Sequence, residues 1–379
     1  MSKKYEVVTT TAVTTNFWDR VYEQKPMTPA QLSAMAFTCA AEATSDTGYE
    51  PMSTIELAHD KSIHRLLDML ETCRPDGSKE EAAFIERYIE PFKPERDTFG
   101  NLFVKVDVPV GHPTILWSCH TDTVHRHGGS QKVETTSTVA WTSDGSCLGA
   151  DDTVGIWLAQ EMIAAGVPGI YVFHRGEEVG GLGSSWLAKN VPSWFGQFDA
   201  AIALDRAGYA DVITHQGSQR CCSDAFAKSL AVAIGGNFKP CDRGVFTDTA
   251  NYTDLIGECT NLSVGYFKQH GPMEHTNLSF AASLRDALVA ADWASLVFSR
   301  KAGEEDPDDY RYDDKYGFGF GTRDHAYGDL DPEIEDLEDF VTAYPWLVAQ
   351  YLKELGVTVD ELDLYEPGDL THTIKADPQ

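Results

Sequence analysis

Short apolar segments alternate with amphipathic segments through the middle of the chain. Apolar runs of strand length cover residues 114–119, 169–173 and 200–204, and apolar positions at helical spacing cover residues 153–165 and 183–189. Strand, helix, strand, helix, strand is the order typical of a doubly wound α/β sheet. The pattern therefore predicts an α/β domain built around these segments.

Further elements are predicted on both sides of this region. The predicted helices cover residues 29–44, 54–73, 79–89, 223–234, 249–256 and 280–298, and the predicted strands cover residues 102–106 and 261–266. After residue 300 the sequence becomes acidic and aromatic-rich, and residues 332–355 fit a helix pair broken near Pro345. We therefore divide the chain into an N-terminal extension (1–53), a central domain (54–300) and an acidic, aromatic-rich C-terminal extension (301–379).

Composition limits the classes of protein that this chain can be. Its 379 residues are 42% apolar, which is enough for a proper core. The net charge is −29, and residues 301–379 carry 22 Asp and Glu against 6 Lys and Arg. Such a surface repels phosphate backbones and anionic lipids, so we expect neither nucleic acid nor a membrane as a partner.

The cysteines and the apolar runs add an expectation about the compartment. Eight cysteines are present, but no two have the Cys-x-x-Cys spacing, so we expect reduced, buried thiols. No apolar run approaches the roughly 18 residues that span a bilayer, and the first residues lack the apolar region of a secretory signal. We therefore expect a cytoplasmic protein. The sequence pattern does not specify its oligomeric state.

Acidic and imidazole side chains stand at the ends of the three predicted strands. His120 and Asp122 follow the first strand, Glu177 and Glu178 follow the second, and Asp205 follows the third. In a parallel sheet the carboxyl ends of the strands meet at one edge, so these side chains should converge on one crevice. A further pair, Asp151 and Asp152, stands just before a predicted helix.

These residue types suit a hydrolytic site with two metal ions, which needs oxygen and imidazole ligands, a bridging carboxylate and a free carboxylate as general base. His120 is a candidate ligand, with Asp122 able to accept its second ring N–H. Asp151 is the candidate bridge. Of the pair Glu177 and Glu178, one can bind metal while the other takes a proton.

Each of these signals has an ordinary structural interpretation when it is taken alone. His120 could be a hydrogen-bonded core histidine, the Glu177–Glu178 pair could complement a helix N-terminus, and the Asp151–Asp152 pair could cap a helix. The combination at three successive strand ends is what favours a metal site.

In this order and spacing the motifs resemble the co-catalytic di-zinc exopeptidases, the superfamily of zinc aminopeptidases and related carboxypeptidases. The resemblance covers residues 54–300, which would form the peptidase catalytic domain, and implies a mixed, mostly parallel sheet sandwiched by helices. It also implies a cis peptide bond after the bridging aspartate. In the implied site, one zinc is held by His120, Asp151 and Asp205, and a second is held by Asp151, Glu178 and a distal histidine. The resemblance also implies that Glu177 is the general base and that Asp122 is the carboxylate supporting the ligands.

The distal histidine is either His270 or His275. Members of the family commonly have an acidic residue four positions after this histidine, which fits His270 with Glu274, whereas Ser279 stands four positions after His275. We therefore expect His270 to be the ligand.

The spacing of the motifs also identifies a branch of the family. Only 64 residues separate Asp205 from His270, which resembles the single-domain branch that has no inserted lid domain. Thr247, Asp248 and Thr249 resemble the loop that lines the substrate cleft in that branch, although a helix cap would have the same pattern.

The resemblance implies a zinc-dependent exopeptidase, most simply an aminopeptidase, acting on a peptide or small amide substrate with two Zn²⁺. Mn²⁺ or Co²⁺ would also suit these ligands. Two related activities stay open on the same site, an N-acyl amino acid amidohydrolase and a carboxypeptidase. A third alternative is a catalytically inert protein that binds a partner through its acidic C-terminal segment.

Overall fold

The computed structural model describes residues 47–304 except residues 137 and 218, and these residues belong to one compact unit. The α-helices of this part are α1 (Thr54–His59), α2 (Lys61–Leu70), α3 (Lys79–Phe84), α4 (Ala150–Ala165), α5 (Leu182–Asn190), α6 (Asp224–Ile234) and α7 (Leu278–Ala290). A π-helical turn covers Ile85–Ile89, and 3-10 turns cover Glu90–Phe92, Pro192–Gln197, Asp248–Tyr252 and Trp293–Ser295.

The strands are short, and most of them are separated by turns or helices. They are β1 (Thr72–Cys73), β2 (Glu95–Arg96), β3 (Leu102–Val106), β4 (Ile115–His120), β5 (Gly129–Ser130), β6 (Val133–Thr135), β7 (Val139–Thr142), β8 (Gly169–His174), β9 (Ala200–Arg206), β10 (Asp211–Ile213), β11 (His215–Gln216), β12 (Gln219–Arg220), β13 (Lys239–Cys241), β14 (Glu258–Ser263), β15 (Tyr266–Phe267) and β16 (His275–Asn277).

Eight of these strands form the main sheet, in the order β13-β10-β14-β9-β4-β8-β3-β2. The four central strands β14, β9, β4 and β8 run parallel to one another. Antiparallel pairings join β10 to β14, β8 to β3 and β3 to β2. The prediction of a mixed, mostly parallel sheet with helices is confirmed.

Both faces of the central strands are covered, which explains why they appear in the sequence as continuous apolar runs. Every residue of β4 is buried. Ile115 and Trp117 belong to the larger core, which α2, α4 and α7 share, whereas Leu116 points to a smaller core formed with α5 and the turn at Pro192–Gln197.

A second sheet has four strands in the order β15-β16-β7-β6. Its strand β7 is the one that precedes α4 in the chain. Its strand β16 pairs antiparallel with β7, with His275 opposite Trp141. The loop that leaves β15 and the loop that follows β7 are therefore held by the same sheet.

The boundaries of several predicted elements were wrong. The single helix expected over residues 54–73 is two helices, because Asp60 caps α2 with its side chain and ends α1 with its backbone. The helix expected over residues 280–298 ends at Ala290, since Asp292 caps a separate 3-10 turn.

Two other expectations near the end of the central domain also need correction. The helix expected over residues 249–256 is only the 3-10 turn Asp248–Tyr252. The strand expected over residues 261–266 is β14, which begins and ends three residues earlier, at Glu258 and Ser263. The predicted helices at residues 29–44 and 332–355 lie outside the described residues, as do most residues of the two extensions.

The stretch between Asp205 and His270 contributes strands to the main sheet, as the spacing of the motifs suggested. Strands β10, β13 and β14 all belong to the main sheet, so this stretch adds no inserted lid domain. In the described part of the chain the seven cysteines are buried and unpaired. None of the helices in that part is long and apolar enough to cross a membrane.

Candidate active site

The ends of the parallel strands carry the polar side chains that the sequence singled out. His120 is the last residue of β4, Glu177 and Glu178 lie in the turn after β8, and Asp205 lies near the end of β9. Asp151 lies at the start of α4, which follows β7 in the chain. The carboxyl edge of the sheet therefore gathers these groups, as a parallel sheet requires.

One cluster of donor atoms forms around the ring of His120. The Nε2 atom of His120 lies 3.0 Å from Oδ1 of Asp151 and 3.7 Å from Oδ1 of Asp205. Donor atoms of these three buried residues all lie within 4.8 Å of one another. Their arrangement suits a metal position formed by one imidazole and two carboxylates.

A second cluster forms around the ring of His270. The Nε2 atom of His270 lies 3.3 Å from Oδ2 of Asp151 and 3.2 Å from Oε2 of Glu178. These donor atoms also lie within 4.8 Å of one another. Asp151 thus directs one carboxylate oxygen to each imidazole, which is the geometry of a bridging carboxylate between two ions.

Asp122 holds the turn that carries the two glutamates. Its Oδ1 accepts a hydrogen bond from the backbone amide of Glu177, and its Oδ2 accepts one from the amide of Glu178, both at 3.1 Å. The Nδ1 atom of His120 is 3.0 Å from the backbone carbonyl of Asp122 and 3.5 Å from its carboxylate. Asp122 therefore orients both the imidazole and the glutamate turn, and its carbonyl is the nearer partner of the ring.

The two interpretations of the Asp151–Asp152 pair, a bridging metal ligand and a structural role in the backbone, apply to different members of the pair. Asp151 faces the imidazoles, whereas the fully buried Asp152 accepts hydrogen bonds from the backbone amides of His120 and Gly155, each at 3.1 Å. The peptide bond between the two aspartates is cis, as the family resemblance implied. Both residues have non-helical backbone angles, so regular helical geometry in α4 begins at Thr153.

The structure places His270 and His275 in different surroundings. His270 lies in the loop between β15 and β16 with a left-handed backbone (φ 64°) and directs its ring toward Asp151 and Glu178. His275 is buried in β16, stacks on Phe267 with ring centroids 5.4 Å apart, and has its Nδ1 2.8 Å from the carbonyl of Met273. The geometry favours His270 as the ligand.

Three residues that the sequence did not assign to the site hold Asp205 in place. The hydroxyl of Thr247 donates to Oδ2 of Asp205 at 2.7 Å, and the hydroxyl of Tyr266 lies 3.1 Å from Oδ1. The side chain of Asn261 in β14 pairs with both the amide and the carbonyl of Asp205. Of these residues, only Thr247 belonged to a motif, the loop expected to line the cleft.

Asp248, in the same loop, belongs to a buried polar network behind the glutamate turn. Its Oδ2 lies 3.2 Å from Nδ1 of His174, the last residue of β8, and Nε2 of that ring lies 2.6 Å from the hydroxyl of Tyr252. The network joins the loop at residues 247–249 to the strand that leads to Glu177. Thr247 precedes the 3-10 turn but makes no side-chain capping bond, so a helix cap does not explain the contacts of this loop.

Burial and mutual repulsion dominate the electrostatics of these groups. Burial and the charge of Asp151 raise the pKa of Asp205 to about 7. Burial also raises the pKa of Glu177 well above its ordinary value, and the nearby carboxylate of Glu178 adds to this. Burial would lower the pKa of His120, but hydrogen bonds to three carboxylates raise it well above its ordinary value.

These residues fit a pair of divalent cations. Imidazole and carboxylate donors face one another in both clusters, and among the described residues Oε1 of Glu178 is a buried oxygen without a hydrogen-bond partner. Leaving such an acceptor unpaired away from water costs about 1–3 kcal/mol. A cation coordinated by these donors would remove this cost.

Comparisons with known proteins give similarity at the level of the fold. No family model matches the chain, and no curated protein matches its sequence. The structure is similar to aminopeptidase PepT from Bacillus cereus, with a TM-score of 0.53 and 14% identity over 62% of this chain and 98% of that one. The similarity of fold that the sequence motifs implied is thereby confirmed.

Two further solved structures are similar at lower scores. One is a tripeptidase from Staphylococcus aureus, with a TM-score of 0.49 and 12% identity over 65% of this chain and all of that one. The other is the TET1 peptidase of Pyrococcus horikoshii, with a TM-score of 0.48 and 16% identity over 61% of this chain and all of that one.

Proposed function

We propose that this chain is a zinc-dependent exopeptidase of the aminopeptidase type. The observation that supports this best is the position of Asp151, whose two carboxylate oxygens face His120 and His270 at 3.0 and 3.3 Å. One zinc would be held by His120, Asp151 and Asp205, and the other by Asp151, Glu178 and His270. Two metals sharing one carboxylate suit hydrolysis of an amide bond.

Glu177 is the general base in this proposal. Zinc ions bound at these positions would polarise the substrate carbonyl and lower the pKa of an attacking water. Glu177 lies beside the ligands, with donor atoms of His120, Glu177 and Glu178 within 4.8 Å, and Asp122 fixes its backbone. Its carboxylate takes the proton of the attacking water and returns it to the leaving amine.

The test compares wild type with Glu177→Gln on aminoacyl p-nitroanilides that have a free amino group. We expect the variant to keep its zinc and its fold and to lose roughly two to four decades of kcat, the usual effect of removing a general base. Glu95→Gln, which changes an exposed glutamate of β2, is the matched control and should behave as wild type. Wild-type turnover in Glu177→Gln would contradict the assignment of the base.

Substrate choice separates the related activities. Hydrolysis of free-amino substrates but not of their N-acetylated counterparts supports the aminopeptidase. Faster cleavage of N-acyl amino acids indicates an amidohydrolase, and release of residues from the carboxyl end of a peptide indicates a carboxypeptidase. A protein that binds zinc but hydrolyses none of these substrates contradicts the proposed function.

A further inference from the structure

Glu274 is a buried carboxylate near the site that is not among the proposed ligands. It lies in the loop between β15 and β16 and is only 1% exposed. Its Oε2 accepts a hydrogen bond from the amide of Gly149 at 2.9 Å, and its Oε1 accepts one from the amide of Asp151 at 3.1 Å. The side chain therefore binds the backbone of the loop that carries Asp151, the proposed bridging residue.

This pair of hydrogen bonds needs a group with two acceptor oxygens. Buried backbone amides must be paired, and a charged carboxylate forms stronger hydrogen bonds with them than a neutral group does. The loop is also closely packed against His125, since a Cβ atom added at Gly149 would lie 2.8 Å from Cε1 of that ring. Glu274 thus fixes a loop that has little room to shift.

The same loop that carries Glu274 also carries His270. His270 lies four residues earlier, and its Nε2 is 3.3 Å from Oδ2 of Asp151. Strands β16 and β7, which adjoin the two loops, are paired with each other. Glu274 is therefore a direct link between the loop that carries Asp151 and the loop that carries His270, two ligands of the same proposed metal position.

The other proposed metal position shares Asp151 but has further supports of its own. His120 ends β4, and Asp205 is held by Thr247, Tyr266 and Asn261. Glu274 makes none of these contacts. A change at Glu274 should therefore displace His270 relative to Asp151, because Glu274 joins their two loops, whereas His120 stays fixed by β4 and Asp205 keeps its contacts with Thr247, Tyr266 and Asn261.

We propose that Glu274 is a positioning residue that sets the affinity of the metal position formed by Asp151, Glu178 and His270. This inference rests on the metal site of the proposed function. Mutation of residues that support metal ligands typically lowers metal affinity about 10–100-fold. The expected effect is therefore a selective loss at one of two positions.

The experiment measures bound zinc per chain in zinc buffers of graded free concentration, with the full chain. We expect wild type to bind two zinc ions, and Glu274→Gln to bind one as wild type does and the other about 10–100-fold more weakly. Glu258→Gln is the matched control. Glu258 is also a fully buried carboxylate that accepts backbone amides, from Ser223, Ser299 and Arg300, but it begins β14 at the end opposite to the site.

A double-variant comparison separates positioning from a general structural role. His270→Ala already removes the metal position formed by Asp151, Glu178 and His270. Adding Glu274→Gln to this variant should therefore change zinc binding no further. A positioning role predicts this non-additivity, whereas a merely structural role predicts a further loss at the remaining position. If Glu274→Gln does not fold, Glu274→Asp keeps the charge but shortens its reach, and the same selective loss is expected.

Three outcomes would overturn the inference: wild-type zinc binding in the Glu274 variants, equal weakening of both positions, or a wild-type chain that binds no zinc. The readout is independent of catalysis. A wild-type chain that binds two zinc ions but cleaves no peptide would contradict the proposed function and leave this inference standing.

Discussion

Asp122 acts on the proposed site through the backbone of its neighbours. Its carboxylate accepts the amides of both Glu177 and Glu178, so the turn is held at two successive residues. One glutamate can then face the proposed metal while its neighbour stays available as a base. The position of Glu177, the proposed base, therefore depends on the carboxylate of Asp122.

We expect Asp122→Asn to lower kcat about 10–100-fold, the usual effect of changing a residue that supports metal ligands, while bound zinc is largely retained. An asparagine can accept only one of the two amide hydrogen bonds and directs its NH₂ group at the other amide. Steady-state kinetics with zinc analysis measures this. Asp60→Asn is the control, because Asp60 also accepts two backbone amides but lies between α1 and α2. An equal loss of kcat in both variants would contradict the proposed role of Asp122.

Sequence reasoning identified the imidazole and carboxylate side chains of the candidate site but not the contacts that some of them make with the backbone. His120 and Asp205 were found because they follow apolar runs, and Asp151 was found because it stands just before a predicted helix. The contacts of Glu274 could not be foreseen, since its partners are backbone amides more than 120 positions away in the chain. Only the fold brings such groups together.

At the level of elements, the central strands were predictable because both of their faces are buried. β4 and β8 appear in the sequence as mostly apolar runs and match their predicted bounds to within a residue. The end of α7 was not predictable in this way. Trp293 is buried against Trp117 with ring centroids 4.9 Å apart, so an apolar residue continues the pattern after the helix has ended.

Asp60 explains why the predicted helix over residues 54–73 is divided, and it gives a test of stability. Its Oδ1 accepts the amides of Ser62 and Ile63, and its Oδ2 pairs with Arg285 of α7 at 2.6 Å. We expect Asp60→Ala to lower the free energy of unfolding by about 0.5–2 kcal/mol, the usual cost of losing a helix cap. Urea unfolding at neutral pH measures this difference, and an unchanged midpoint would contradict it.

The cost of losing Asp60 should also depend on pH. Burial would raise the pKa of Asp60, but the hydrogen bond from Arg285 and the two amides outweigh burial and lower it. A carboxylate whose pKa is lowered in the folded state stabilises that state above its unfolded pKa and loses this effect as the pH falls through its folded pKa. The difference between wild type and Asp60→Ala should therefore shrink in acid.

At the scale of the whole molecule, the site concentrates negative charge at one edge of the main sheet. Asp151 lies in one cluster of donor atoms with Asp205 and in a second with Glu178, and the mutual repulsion of such carboxylates opposes folding unless cations are bound. The free energy of unfolding should therefore depend strongly on bound metal.

We expect removal of zinc by a chelator to lower the thermal midpoint of the wild-type chain and added zinc to restore it. A ligand at 100 times its dissociation constant stabilises the folded state by about 2.7 kcal/mol for each site. Differential scanning calorimetry with and without zinc measures the shift. His120→Ala should show a smaller shift because it loses a ligand, and a midpoint independent of zinc in wild type would contradict the expectation.

The outer strands of the main sheet affect whether another chain can add a strand to it. At one side, β13 is three residues long and contains Pro240, which has no amide hydrogen to donate. At the other side, β2 is only two residues long and consists of the exposed, charged Glu95 and Arg96. Short, charged or proline-bearing edges discourage pairing with an added strand. Neither aggregation through this sheet nor assembly of copies by extending it is therefore favoured.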